Sequence, residues 1–212
     1  MAPFVAALLC IDVTVAVGLR LRRVRGPVGL DIRTAKPVFS HAFGVSLVPV
    51  RLAEQFVKLG NPFPYAALVL ALVVLAASKR DRFGVILALI APAVAVFSAE
   101  HLKTHFGRTE GGADAYPSGH TTALTAIAVT LAIIAWRQWG PRSLLATVPV
   151  GVALSGGMVL TVVRIHAHLM SDALGGVLLG AGIVVGVAAT IALPAQEPFH
   201  DLVHRVTSHQ RR

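Results

Sequence analysis

The chain of 212 residues carries a formal net charge of +9, and 55% of its side chains are hydrophobic against 14% charged, with a mean hydropathy of +0.73. A soluble fold cannot hide that much apolar surface, so the composition excludes a soluble globular domain and points to a single membrane-embedded domain over residues 1–212. The basic residues stand in short clusters between apolar runs, as orientation in a bilayer requires, so nucleic acid is not an expected partner.

In chain order, residues 3–19 form an apolar run that ends against Arg20, Arg22, Arg23 and Arg25. The run lacks a basic leader and a small-residue cleavage site, so it reads as an anchor helix. The single cysteine, Cys10, lies inside it, which excludes an intramolecular disulfide and a cysteine metal site. Residues 26–61 are mixed and broken by prolines. Within them, residues 47–59 carry Arg51, Glu54 and Lys58 among apolar residues at helical spacing, the pattern of a helix lying in the membrane interface.

Five further runs, residues 63–78, 83–102, 121–136, 143–163 and 172–193, approach the roughly 20 residues needed to cross a bilayer. Pro92 and Pro149 fall inside two of them, and Gly175, Gly176 and Gly180 permit close helix packing in the last. The expected fold is all-α: a six-helix transmembrane bundle with a core at 62–193, a short interfacial segment after the first span, and a basic tail at 194–212.

Even numbers of spans separate residues 79–82, 137–142 and 204–212, so these basic clusters share one face. The positive-inside bias makes that face cytoplasmic. Residues 103–120 and 164–172 fall on the other side, the periplasmic side if the setting is a bacterial inner membrane. Arg20 to Arg25 join this outer side, against the bias, if residues 1–19 cross once. A second crossing at 38–60 would bury Arg51, Glu54 and Lys58 at high cost.

The residues capable of chemistry gather on the outer side. In Pro117-Ser118-Gly119-His120, Gly119 lets backbone approach an anion and Ser118 supplies a hydroxyl. The helix that follows offers N-terminal amides to negative charge, and His120 can protonate a departing oxygen. The same four residues also suit a plain turn with a capping Ser. Arg164, His168 and Asp172 succeed one another at i, i+4 spacing and form one stripe on a continuous helix. A carboxylate beside an imidazole fixes its tautomer and makes the opposite nitrogen a better nucleophile. Lys103 and Arg108 are cations on an outer loop, suited to an anion or to lipid head groups. His41, His101, His105 and His166 read as surface or interfacial residues. With no His-Glu-x-x-His motif and no cysteine pair, no metal or other cofactor is expected.

These residues resemble the type 2 phosphatidic acid phosphatase family, membrane relatives of bacterial acid phosphatases and vanadium haloperoxidases. The family carries Lys-x6-Arg-Pro, then Pro-Ser-Gly-His, then Ser-Arg-x5-His-x3-Asp. Here the second motif is intact at 117–120, and His168 and Asp172 match the end of the third. Glu110 and Gly111 stand where the first motif has Arg-Pro, and Thr161 and Val162 where the third has Ser-Arg. Arg108 lies two residues before its slot and Arg164 two after, placed to reach the same phosphate by a small adjustment.

The resemblance implies metal-independent hydrolysis of a lipid phosphate or pyrophosphate. The substrate would be of phosphatidic acid, phosphatidylglycerol phosphate or polyprenyl pyrophosphate type. His168 would form a phosphohistidine with Asp172 orienting it, and His120 would act as the acid. Lys103, Arg108, Ser118, Gly119 and Arg164 would hold the phosphate. A lipid phosphotransferase and a non-catalytic lipid-binding protein remain open as alternatives. A transporter is disfavoured, because no charge lies mid-span in the well-defined helices.

Overall fold

The computed structural model describes residues 1–39, 49–110 and 112–192, with the side chains of 35–39 set aside. The expected basic tail, His41, and residues 47 and 48 of the interfacial segment lie outside the described residues. Among the described residues, eight α-helices follow in order: α1 (Ala2–Arg20), α2 (Gly29–Phe39), α3 (Val50–Val57), α4 (Pro62–Ser78), α5 (Arg82–Phe106), α6 (Gly119–Trp139), α7 (Leu144–Arg164) and α8 (Met170–Ala192). Between α5 and α6 a two-stranded antiparallel hairpin pairs β1 (Thr109–Glu110) with β2 (Ala113–Asp114). An all-α polytopic bundle is what such runs must form, since a helix satisfies its own backbone polar groups where no water is present.

Among the described residues, five helices are long and apolar enough to cross a membrane, and a sixth crossing is counted if α3 and α4 are taken as one broken span. The two meet at a 62° bend across Lys58–Gly60 and Asn61. The short amphipathic α3 lies against α7. Its Ala53 is buried, and Phe56 packs with Met158, Val159 and Val162.

α6 and α8 form the centre. A Cβ on Gly176 would stand 2.6 Å from the Ser118 carbonyl oxygen, and one on Gly180 would stand 2.7 Å from that of Thr122, so the two helices touch backbone to backbone. Around this axis α1 packs on α8, while α5 and α7 pack on α6. Leu87, Ala91 and Ala95 of α5 meet Ala126 and Val184, whereas Leu72 and Ala76 of α4 meet Ile127 and Ile134.

The two ends of the bundle differ in character. At one end Arg137 contacts Asp81 at 3.5 Å and stacks over Phe83, which joins connectors 79–82 and 137–142. At the other, the Arg23 N–H donates to the Phe106 carbonyl at 3.1 Å, and Arg25 pairs with Thr109 as an isolated bridge. The arginines after α1 therefore sit at the same end as the hairpin and the α7–α8 connection, as a single crossing by α1 requires.

Candidate active site

Three segments converge at this second end: the last turns of α5, the start of α6, and the loop between α7 and α8. Ser118 caps α6, its hydroxyl accepting from the Thr121 hydroxyl at 3.1 Å. The Ser118 N–H donates to the Asp172 carbonyl at 3.0 Å, so backbone ties the α6 start to the α8 start. The side chain of Ser118 is fully buried and serves the helix, as the capping alternative has it.

Gly119 is the point of closest approach. A Cβ there would lie 2.6 Å from Glu100 Oε1 and 3.1 Å from Lys103 Nζ, so any other residue would push the α5 side chains away. Lys103 is held by Glu100 at 2.6 Å and is mostly covered, which keeps its ammonium over the first turn of α6. A helix N-terminus with a cation above it favours negative charge, by geometry and by dipole. His120 follows at once. Its ring packs on Gly60, and its Nε2 lies 3.3 Å from Asn61 Oδ1, so the α3–α4 bend closes the site from the side.

His168 is carried by a loop, because α7 ends at Arg164 and α8 begins at Met170. Arg164, His168 and Asp172 thus share no continuous helical stripe, contrary to the expectation from their spacing. The carbonyl of Val162 accepts from both the Ala167 N–H, at 2.9 Å, and the His168 N–H, at 3.1 Å, and folds the loop back over α7. Val162 itself is core, packed with Met158 and Ala173, so the slot expected to hold a motif arginine faces apolar side chains.

Burial pushes the His168 imidazole down to about 4, reinforced by the charges of Lys103 and His120 and opposed by the backbone of Ala115. The ring is therefore neutral at pH 7. The ring meets the Ala115 backbone, and its Nδ1 is buried.

The surroundings of Asp172 differ from those expected. Its Oδ2 accepts from the Leu169 N–H at 3.1 Å, and its Oδ1 stands 2.7 Å from Arg108 Nη1, an ion pair by distance. The carboxylate is given to Arg108, not to His168. Arg108, expected at the phosphate, is 0% exposed. Its Nη1 donates to Ser171 Oγ at 2.6 Å and its Nη2 to Asp31 Oδ2 at 3.0 Å. Charge-assisted hydrogen bonds to two carboxylates this close hold the guanidinium away from solvent. Arg164 closes α7, and His101 and His105 are exposed on α5.

Sequence reasoning missed Asp31 and Ser171. Asp31 comes from α2, and no spacing links it to residue 108; its only trace in the sequence is an acidic side chain in a mixed, proline-broken segment. Burial alone would raise its carboxyl, but hydrogen bonds from the Val28 and Ser171 backbones, the Ser171 hydroxyl and Arg108 hold it below its ordinary value. Tyr116 was also missed: its hydroxyl donates to the Thr14 carbonyl at 2.7 Å, and its ring meets Phe106 edge-on, which fastens α1 to the site loop.

A lysine, two histidines and a helix N-terminus thus gather at one end of an all-α membrane bundle. A family model described as PAP2 superfamily matches residues 65–193, more than half of the chain. The chain belongs to the PAP2 superfamily, whose members are phosphatases. Neither the curated proteins nor the solved structures give a match.

Proposed function

We propose that this protein is a metal-independent phosphatase that removes a terminal phosphate from a lipid phosphate or pyrophosphate, with a phosphohistidine at His168. The observation that carries the reading is the meeting of Lys103, Gly119, His120 and His168 at the start of α6. The neutral Nε2 of His168 attacks phosphorus and forms the N–P bond as the P–O bond breaks. The departing oxygen leaves with the electron pair and takes a proton from the His120 imidazolium. Water then attacks the phosphohistidine, giving its proton to His120, and the N–P electrons return to Nε2.

Lys103, the amides of the first α6 turn and Arg164 hold the oxygens that do not react, where most of the electrostatic stabilisation of such a transfer arises. Ser118 and Arg108, both buried, act from behind by holding the helix start and Asp172. The substrate is a lipid because the site lies at the ends of membrane spans, on the face opposite the basic connectors. By the charge bias that face is the outer one of a bacterial inner membrane.

Phosphate release by the purified protein in detergent, from phosphatidic acid, phosphatidylglycerol phosphate and undecaprenyl pyrophosphate, tests this. Release from at least one, unaffected by EDTA, is the expected outcome. No release from any of them, or release that needs added metal, contradicts it.

A further inference from the structure

We infer that Asp31 is a positioning residue for the reaction at His168: it shares Arg108 with Asp172 and so leaves a buried cluster of net negative charge beside the imidazole. The inference rests on the phosphatase reading of the site. Asp31 Oδ2 accepts from Arg108 Nη2 at 3.0 Å and from Ser171 Oγ at 3.1 Å, and its Oδ1 accepts from the Ser171 N–H at 2.8 Å. On the other side of the guanidinium, Asp172 Oδ1 lies 2.7 Å from Nη1. All three charged side chains are buried.

Charge counting gives the reason. Arg108 and Asp172 alone would be a neutral pair, and the guanidinium would cancel the carboxylate just where attack on phosphorus puts positive charge on His168. Asp31 takes up that cation, so two carboxylates face one guanidinium and one negative charge remains. Asp31 and His168 line one cavity of about 50 Å³, together with Glu110, Val163, His166, Leu169 and Met170. In so enclosed a space a charge is screened far less than at the surface.

The other charged or titratable groups around His168 do not replace it. Lys103 from α5 and His120 from α6 are basic, and His166 is a histidine on the same loop. Glu110 on β1 is only partly buried. Asp31 takes no part in any step at phosphorus, yet its buried carboxylate accepts hydrogen bonds from Val28, Arg108 and Ser171.

The test uses Asp31→Asn and Asp31→Glu, purified in detergent and checked for folding by circular dichroism and size exclusion. Asparagine keeps the shape and an acceptor for Arg108 but removes the charge. Glutamate keeps the charge but lengthens the side chain, so it disturbs the fit more than asparagine does. On the lipid phosphate that wild type cleaves best, Asp31→Asn should lower kcat by about tenfold or more with KM little changed, and Asp31→Glu should retain most of the wild-type kcat.

A residue that merely pinned α2 in place would tolerate the isosteric asparagine better than the longer glutamate. A folded Asp31→Asn with wild-type kcat overturns the inference, as does a folded Asp31→Glu no faster than Asp31→Asn. If Asp31→Asn does not fold, Asp31→Glu alone decides by the same comparison with wild type. If neither folds, Asp31 is a structural pin and the inference falls. A wild type that cleaves no lipid phosphate sinks the functional reading and this inference with it, a result distinct from an active wild type with an indifferent Asp31→Asn.

Discussion

His168 has to stay neutral in order to attack and has to accept positive charge once it has done so. Burial and the nearby Lys103 and His120 meet the first demand by holding the imidazole down to about 4. Linkage turns this into a stability statement. In the unfolded chain the ring returns to its ordinary value of 6.5, so as pH falls the unfolded state binds the proton first. The stability that the neutral ring contributes is complete above about 6.5 and is lost as pH falls toward about 4. The Asp31 carboxylate is held below its ordinary value of 3.8 and adds its own loss only beneath that window. Between pH 6.5 and 4.5 the thermal midpoint in detergent should therefore fall more in wild type than in His168→Gln. An equal drop in both would show that another group sets the slope. Of these residue-level features, the pair His120 and His168 was legible from motif spacing. The partner of Asp172 was not, because Arg108 and Asp31 meet only after α2 folds onto α7 and α8.

At the scale of elements, the site depends on how closely α8 approaches α6. Gly176 and Gly180 stand one turn apart and face the carbonyls of Ser118 and Thr122. Gly176→Val sets methyl groups against backbone that cannot move without shifting the start of α6. It should cost about 1–3 kcal/mol of stability as overpacking, and it should lower activity by displacing Gly119 and His120. Unfolding midpoints in detergent and phosphate release measured on the same preparation check both; a variant as stable and as active as wild type would show that the contact is loose. The small residues of α8 were readable as a packing face, and the runs behind α5 to α8 as spans. The i, i+4 series at 164, 168 and 172 misled: spacing records what a continuous helix would do, and here the Val162 carbonyl captures the Ala167 and His168 amides and ends the helix.

Across the whole molecule, charge is divided between the two ends, and the arginines after α1 run against that division. Arg20 to Arg25 sit beside Phe106 and Thr109, at the end that carries His168, while Arg80 and Arg142 mark the other. Single cysteines at Arg23, His105 and Arg80, in a Cys10→Ser background, should report this in intact cells. The first two should react with a membrane-impermeant maleimide from the same side, and the third should be protected. Labelling of Arg23→Cys together with Arg80→Cys would mean that α1 does not cross as it stands here. The bundle was legible because hydropathy acts at the scale of whole spans. The seat of α2 was not, because a short mixed helix carries neither signal. The central claim, that His168 receives the phosphoryl group, is tested most directly by phosphate release from purified His168→Ala beside wild type on the preferred lipid phosphate. The account predicts a folded variant whose release falls by more than about a thousandfold; a folded His168→Ala that retains wild-type release would contradict it.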